Sequence, residues 1–263
     1  MNELPDTSNS ALIVDGVRLE LARFGAPAPG RPMLVFLHEG LGSVSLWRDF
    51  PNDVANATGC PALVYSRQGY GKSDSVALPR PLSFMHDEAR AVLPALLEAA
   101  GVDDAILIGH SDGASISLIY AGENGRSLRG LVLLAPHVFV EHVCVAAIAR
   151  TRESYRSTGL REKLMRHHGT NVDGAFYGWA DSWLNPKFLE WNLEEFLPGI
   201  QVPTLVIQGE NDEYGTLEQV DRVVAQVSGP WERLVLSDCG HSPHRDRPEA
   251  TCDAIAGFVR RLL

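Results

Sequence analysis

The sequence has few cysteines, no excess of basic residues and no long apolar run. The four cysteines are far apart and show no paired metal-ligand spacing, which favours reduced thiols over a disulfide framework; they are Cys60, Cys144, Cys239 and Cys252. Lysine and arginine number 23 against 33 acidic residues, a net charge of −10, so a general nucleic-acid-binding protein is disfavoured. No apolar run approaches the roughly 18–20 residues that cross a bilayer.

What is present is typical of a globular chain. The 263 residues are 45% apolar, 8% aromatic and 21% charged, which suits a domain with a substantial core. The start of the chain, MNELPDTSNS, is polar and shows no signal-peptide pattern. We therefore expect a soluble, cytoplasmic protein of one or two domains that binds neither nucleic acid nor membrane.

Short apolar runs between turn signals predict the strands. Two runs flank Asp15-Gly16, a strong hairpin signal, and predict an antiparallel pair at the start of the fold. Six later runs are continuous rather than alternating, as in strands that are buried on both faces of a parallel sheet. They cover residues 33–38, 62–66, 105–110, 130–136, 203–209 and 232–237.

Helical patterns lie between these runs. One segment begins at Ser83, the expected N-cap, and is expected to kink at Pro94. A second pattern runs from Ser111 to Ala121, and a last one begins at Pro248 with basic residues in its final turn. Strands that alternate with helices predict an α/β fold with a doubly wound, mostly parallel sheet.

This alternation fails between residues 136 and 203, where about 65 residues exceed the needs of one crossover helix and predict an insertion. Residues 150–168 are basic, and they either face solvent or attract an anionic group. Residues 176–196 hold seven aromatic side chains, which either form a core or wall an apolar pocket. The predicted division is a core domain of residues 1–136 and 203–263 with an insertion at 137–202.

The sharpest chemical signal is Gly109-His110-Ser111-Asp112-Gly113, a G-x-S-x-G between a predicted strand and a predicted helix. The tight turn needs small residues on both sides of the serine and lifts its hydroxyl off the sheet edge. The helix N-terminus behind the serine favours developing negative charge. The alternative is a glycine-rich turn with an incidental serine, and it is disfavoured because the partners of a serine nucleophile are also present.

A serine nucleophile needs an acid and a base, in the chain order Ser, Asp or Glu, His. Polar loops follow the last two predicted strands, and the carboxyl ends of parallel strands meet at one sheet edge. We assign Asp212 as the acid, with Glu210 and Glu213 as competitors. We assign His241 as the base, with His244 as its rival, although a partly exposed loop histidine is the simpler interpretation of His244. No third ligand cluster accompanies the two histidines, so no metal is predicted.

These motifs resemble those of the α/β-hydrolase superfamily, and the similarity covers nearly the whole chain. HEGLG at 38–42 and GYGKS at 69–73 resemble its two glycine-containing loops, while PTLVIQGENDE and CGHSPHRDRPE resemble its acid and histidine loops. The set resembles serine esterases and carbon–carbon hydrolases of the compact branch that includes lactonases, proline iminopeptidases and meta-cleavage hydrolases. The resemblance implies an eight-stranded, mostly parallel sheet with helices on both faces and a helical lid formed by the insertion.

The resemblance also implies the roles of further residues. The backbone N–H groups of Gly40 and Asp112 would form the oxyanion hole. His38 and Glu39 would line the substrate pocket. The aromatic stretch of the lid would contribute to the same pocket, and we choose its tryptophans Trp179 and Trp183 for this role.

Two positions depart from the family pattern. Glu39 stands where glycine is usual, and it either places a carboxylate near the pocket or forms a salt bridge with Arg67 or Arg48, facing away from substrate. Ser66 replaces the acid that usually precedes the second glycine loop. The nucleophile is Ser111 rather than an aspartate, which disfavours dehalogenase and epoxide-hydrolase chemistry.

The predicted activity is acyl transfer. Ser111 would attack a carbonyl while His241 takes its proton and Asp212 orients the imidazole. We expect a carboxylic-ester hydrolase for a small to medium, partly apolar molecule, without a cofactor. The alternatives are cleavage of a thioester, a lactone or a carbon–carbon bond by the same triad, and, from another class, a ligand-binding receptor. Either a monomer or a homo-oligomer is compatible with the sequence.

Overall fold

The computed structural model describes residues 10–123, 125 and 127–263. In this part of the chain, eight strands form one sheet in the order β1-β2-β4-β3-β5-β6-β7-β8. The strands are β1 (Ser10–Val14), β2 (Val17–Phe24), β3 (Met33–Leu37), β4 (Ala62–Tyr65), β5 (Ala105–His110), β6 (Leu128–Leu134), β7 (Thr204–Gly209) and β8 (Trp231–Leu236). Strand β2 is antiparallel to both β1 and β4, and the pairs from β4 to β8 are parallel. The predicted hairpin and parallel sheet are confirmed.

The helices fill the connections between strands. They are α1 (Phe50–Thr58), α2 (Phe84–Asp87), α3 (Leu93–Ala99), α4 (Asp112–Glu123), α5 (His142–Ser157), α6 (Leu160–His168), α7 (Val172–Trp183), α8 (Leu217–Gln226), α9 (Pro243–Asp246) and α10 (Pro248–Arg261). Within the described residues, no helix is long and apolar enough to cross a membrane.

The core lies on both faces of the sheet because the central strands are buried on both sides. Successive residues of a strand point to opposite faces. Leu107 of β5 therefore packs into one apolar cluster, while Ile106 and Ile108 pack into the other. This two-sided burial explains why the strands are continuous apolar runs in the sequence.

The predicted helix from Ser83 is present, with a local difference. Helices α2 and α3 are joined by a π-helical turn at Glu88–Val92, directly before Pro94, whose ring lacks the N–H that a regular helix needs there. Ser83 is the N-cap residue, but its hydroxyl donates to the Asp87 carboxylate at 2.8 Å rather than accepting from a backbone N–H.

The insertion between β6 and β7 contains α5, α6 and α7. Its two ends are joined at the base, because Phe139 and Asn192 form an isolated antiparallel bridge and the Leu193 N–H donates to the Val138 carbonyl at 2.8 Å. These helices are thereby anchored beside the carboxyl ends of the parallel strands. The division into two domains at residues 137 and 202 stays a prediction.

Candidate active site

Ser111 lies on a sharp turn between β5 and α4. Its φ of 53° is in the left-handed region, which a non-glycine residue adopts only where the surroundings hold it. A Cβ on Gly109 would collide with the Gly113 carbonyl, and a Cβ on Gly113 would collide with the Leu37 carbonyl. Both glycines of the G-x-S-x-G are therefore needed to pack this turn against α4 and β3.

The structure brings Ser111, His241 and Asp212 into one hydrogen-bonded chain. His241 Nε2 lies 2.9 Å from Ser111 Oγ, and His241 Nδ1 lies 2.9 Å from each carboxylate oxygen of Asp212. The backbone N–H of Tyr214 donates to Asp212 at 2.8 Å, as does the side-chain amide of Gln208. These bonds fix the carboxylate in the orientation that the imidazole requires.

Electrostatics favour a charged imidazole beside Asp212. Burial lowers the pKa of His241, but the charge and hydrogen bond of Asp212 outweigh it, and the pKa is raised above its usual value. Burial raises the pKa of Asp212, but the neighbouring His241 outweighs this effect and the pKa is lowered. The pair therefore stabilises the imidazolium that forms when His241 accepts a proton.

The rival candidates for the acid and the base occupy other positions. The Glu213 carboxylate accepts the backbone N–H of His241 at 3.2 Å and does not orient the imidazole, and the Glu210 side chain is exposed. The expectation that His244 is a partly exposed loop residue is wrong. It is buried, with its ring centroid 4.6 Å from that of Trp47, because it packs under the site between aromatic rings.

A cavity of about 220 Å³ opens over Ser111. Trp179 and Trp183 of α7 both contribute to its wall, as does Glu39. Its lining is Glu39, Gly40, Leu41, His110, Ser111, Asp112, His137, Cys144, Ile148, Trp179, Trp183, Glu213, Tyr214, His241, Ser242 and Arg245. His38, predicted to line the pocket, is instead fully buried beneath the loop, because its ring bonds to the backbone N–H of Arg67 and to the Glu39 carbonyl.

Two backbone N–H groups belong to residues that line the cavity, Gly40 on the loop after β3 and Asp112 at the N-terminus of α4. Within the described residues, no protein group accepts a hydrogen bond from the N–H of Gly40 or of Asp112, and both residues line the cavity. A Cβ on Gly40 would collide with the indole of Trp179, so only glycine lets this indole lie on the loop. The arrangement can stabilise negative charge on an oxygen bound at Ser111.

Comparison with known proteins agrees with this geometry. A family model described as alpha/beta hydrolase family matches residues 34–254. The chain belongs to the alpha/beta hydrolase family. The resemblance drawn from its motifs is confirmed.

Relatives of this hydrolase carry several chemistries. The chain is 23% identical over 254 residues to the 2-hydroxy-6-oxo-6-phenylhexa-2,4-dienoate hydrolase of Comamonas testosteroni, with 87% of each chain covered. It is 25% identical over 136 residues to epoxide hydrolase 2 of Siraitia grosvenorii, covering 51% of this chain and 40% of that one. The enol-lactonase from Burkholderia xenovorans LB400 matches with a TM-score of 0.75 at 18% identity, covering 95% of this chain and 100% of the other. The structural match shows the fold, and the three names do not agree on a substrate.

Glu39 distinguishes this hydrolase from the usual family pattern. The predicted salt bridge of its carboxylate with Arg67 or Arg48 is wrong, because the carboxylate lies 3.4 Å from His110 Nδ1 in the cavity wall. Burial raises the pKa of Glu39, but the neighbouring histidines, His110 first, outweigh it and hold the pKa well below its usual range. A carboxylate therefore stands in the cavity wall beside Gly40.

The acid that Ser66 replaces is supplied from another strand. Ser66 Oγ donates to a carboxylate oxygen of Glu20 at 2.7 Å, and the backbone N–H of Lys72 donates to the same oxygen at 3.0 Å. Glu20 is buried in β2, next to β4. A carboxylate thus still holds the second glycine loop of this hydrolase, although from a different position in the sequence.

His137 is a cavity residue that the sequence analysis missed. It follows β6, its ring centroid lies 5.5 Å from that of His241, and its Nδ1 has no hydrogen-bond partner in the described part of the chain. Burial, followed by the charge of His241, lowers the pKa of His137 to about 3, so the ring is neutral. The signal that could have identified His137 is its position shortly after a parallel strand, whose carboxyl end lies at this sheet edge.

The aromatic and basic stretches of the insertion have separate roles. Trp179 and Trp183 line the cavity and also belong to the apolar core that joins the insertion to the sheet. Phe176, Phe188 and Trp191 belong to this core but do not line the cavity. Within the described residues, none of 150–168 lines the cavity. Ion pairs instead join the basic stretch to α7: Arg152 with Asp181, and Arg161 with Asp173.

Also within the described residues, no group of three or more acidic, histidine or cysteine side chains is arranged to hold a metal ion.

Proposed function

We propose that this hydrolase cleaves a carboxylic ester of a small to medium, partly apolar substrate through an acyl-enzyme on Ser111. The observation that carries the proposal is the chain Ser111–His241–Asp212, with 2.9 Å hydrogen bonds, facing the same cavity as Gly40 and Asp112, whose backbone N–H groups have no acceptor in the described part of the chain. A serine in this setting has a base within reach of its proton and donors near the carbonyl oxygen.

The reaction follows from these positions. His241 Nε2 accepts the Ser111 proton as the oxygen attacks the ester carbonyl, and the charge on the carbonyl oxygen is stabilised by the N–H groups of Gly40 and Asp112. The imidazolium, stabilised by Asp212, then protonates the leaving alkoxide. Water attacks the acyl-enzyme by the same route, with His241 as base, and frees Ser111.

The wall of the cavity supports an uncharged, partly apolar acyl group. Leu41, Ile148, Trp179 and Trp183 supply apolar surface, and we assign α7, which carries both tryptophans, as part of a lid over the serine. The volume of about 220 Å³ suits a short acyl chain.

Carbon–carbon bond cleavage is the second candidate, since it is favoured by the relative that shares 87% coverage in both directions and acts on a dienoate. Glu39 supports the ester instead. Its carboxylate is held ionised in the cavity wall beside Gly40, where it would repel the carboxylate of a dienoate bound in this cavity. Among the described residues that line the cavity, the side chain with a permanent positive charge is that of Arg245, and it is exposed.

A substrate panel tests this proposal. We expect higher kcat/KM for p-nitrophenyl acetate and butyrate than for 2-hydroxy-6-oxo-6-phenylhexa-2,4-dienoate. Glu39→Gln is expected to raise the dienoate-to-ester ratio by about tenfold or more, because it removes the like charge. Faster turnover of the dienoate than of the esters by the wild type would favour carbon–carbon cleavage. An unchanged dienoate-to-ester ratio in Glu39→Gln would contradict the inference that the charge of Glu39 repels the dienoate.

Trp179→Ala is expected to change the acyl-length preference. Loss of the indole over Gly40 lengthens the cavity, and each apolar contact of methylene size contributes about 1–3 kcal/mol, or roughly 10- to 200-fold in relative kcat/KM. The relative rates of p-nitrophenyl acetate, butyrate and octanoate measure the shift.

Trp191→Ala is the matched control for this experiment. Trp191 belongs to the same aromatic stretch but stacks on Phe188 and does not line the cavity. It is expected to lower the melting temperature and leave the order of substrates unchanged. If Trp179→Ala also lowers only the melting temperature, the indole holds the insertion together and does not select substrate.

A further inference from the structure

Arg67 joins the loop that carries the Gly40 N–H to the N-terminus of α4, which carries the Asp112 N–H. It follows β4, is 1% exposed and does not line the cavity. Its Nη2 donates to the Glu39 carbonyl oxygen at 3.0 Å and lies 3.6 Å from a carboxylate oxygen of Asp112. Its guanidinium also lies over the ring of Tyr70, 4.9 Å from the centroid. One buried side chain thus contacts both loops from behind.

The contact with Glu39 fixes the direction of the Gly40 N–H. A trans peptide is planar, so its C=O and N–H point in opposite directions. The Glu39 carbonyl accepts from Arg67 Nη2 and, at 3.1 Å, from the Gly42 N–H. His38 Nδ1 lies 2.6 Å from the same oxygen and donates to it, since Nε2 accepts the backbone N–H of Arg67. Because the Glu39 carbonyl points towards Arg67, the Gly40 N–H points to the opposite side of the loop, where Gly40 lines the cavity.

The contact with Asp112 balances a buried charge beside the second donor. Asp112 is fully buried, and Trp183 Nε1 donates to its other carboxylate oxygen at 3.2 Å. Burial raises the pKa of Asp112, and the charge of Arg67 acts in the opposite direction. An uncompensated carboxylate here would oppose negative charge on an oxygen bound at Ser111. The guanidinium of Arg67 offsets that effect.

We propose that Arg67 is a positioning residue of the oxyanion hole, which orients the Glu39–Gly40 peptide and balances the Asp112 carboxylate without touching the substrate. The inference rests on the proposed function, because it assumes that the N–H groups of Gly40 and Asp112 stabilise charge in the transition state. Arg67 is therefore expected to affect kcat and to leave KM nearly unchanged.

Arg67→Gln tests the inference, with Arg80→Gln as the matched control. Arg80 lies over the same Tyr70 ring, 4.8 Å from its centroid, but its Nη2 donates to the Gln68 carbonyl and not to either loop of the oxyanion hole. For each variant, kcat and KM are measured on p-nitrophenyl acetate, together with the melting temperature. The rate of covalent labelling of Ser111 by a fluorophosphonate gives a readout that does not depend on the choice of ester.

For Arg67→Gln we expect kcat and the labelling rate to fall together by about 10- to 100-fold, with KM changed by less than about threefold. Arg67→Lys, which keeps the charge but lacks the planar guanidinium that reaches both partners, is expected to lie between Gln and wild type. Arg80→Gln is expected to stay within about threefold of wild type. A folded Arg67→Gln with unchanged kcat and labelling, or equal losses in Arg80→Gln, would overturn the inference.

A second pair of variants covers the case in which Arg67→Gln does not fold because the Asp112 carboxylate is left unpaired. Asp112→Asn and Asp112→Asn/Arg67→Gln both lack that carboxylate. They differ in whether Arg67 is present to donate a hydrogen bond to the Glu39 carbonyl. The double variant is expected to be slower than the single by about tenfold; equal rates would overturn the inference. A wild type that neither turns over esters nor is labelled would instead contradict the proposed function.

Discussion

Ser111→Ala is expected to remove ester turnover, lowering kcat by about 10⁴- to 10⁶-fold while the melting temperature stays close to that of the wild type. His241→Ala is expected to cause a loss of similar size, because Nε2 of this residue is 2.9 Å from Ser111 Oγ and the two act as a unit. The double variant should therefore be no worse than either single one. Turnover of p-nitrophenyl butyrate under single-turnover and steady-state conditions measures these losses.

Ser242→Ala is the matched control for the serine, since Ser242 lines the same cavity and stands outside the hydrogen-bonded chain. It is expected to keep activity within about tenfold of wild type. Peptide mapping after fluorophosphonate treatment should find the label on Ser111. Turnover that survives in Ser111→Ala, or a label on another residue, would show that the nucleophile is misassigned.

The turn that carries Ser111 could be predicted because it is encoded locally. The strand before Ser111, the glycines that flank it and the helix after it are consecutive in the chain, and the left-handed turn follows from that order. The positions of Asp212 and His241 beside Ser111 were also predictable, since each follows a parallel strand and the carboxyl ends of such strands meet at one edge.

The surroundings of the triad depend on strand register, which no local pattern records. Leu37 pairs with Gly109, so the residues after them, Glu39 and His110, approach each other although they are distant in sequence. The antiparallel pair of β2 with β4 matches Leu21 with Tyr65, and it places Glu20 beside Ser66. Both contacts depend on pairings that are fixed only when the sheet forms.

The burial of particular histidines could not be predicted for a related reason. His244 lies in a polar stretch of the sequence, where exposure is the usual expectation, but it belongs to the short helix α9 and the rings of Trp47 and Phe50 from a distant segment cover it. His38 follows a strand at the sheet edge that holds the site, yet its ring forms hydrogen bonds with the backbone of Arg67 and Glu39. A histidine in a loop near an active site is thus assigned only when its partners are known.

Asp212→Asn is expected to lower kcat by about 10³- to 10⁴-fold, because it changes the tautomer of His241. Both Asp212 oxygens lie 2.9 Å from Nδ1, which keeps the proton there and leaves Nε2 free to accept from Ser111. An amide nitrogen at this place donates to Nδ1 instead and leaves the proton on Nε2. Glu213→Gln removes one negative charge as well, but Glu213 contacts the backbone N–H of His241, so its kcat is expected to stay within about tenfold of wild type.

The pH profile separates these two variants from a general loss of structure. His241 must be neutral to act as base, and its pKa is raised by Asp212 above the ordinary value of about 6.5. Wild-type kcat/KM should therefore fall as the pH drops through a value above 6.5. In Asp212→Asn the lost charge lowers the pKa of His241, so the residual activity should persist to lower pH, and Glu213→Gln should shift the same limb by a smaller amount. A larger kcat loss in Glu213→Gln than in Asp212→Asn would move the role of the acid to Glu213, since only the group that orients the imidazole controls both its tautomer and its charge.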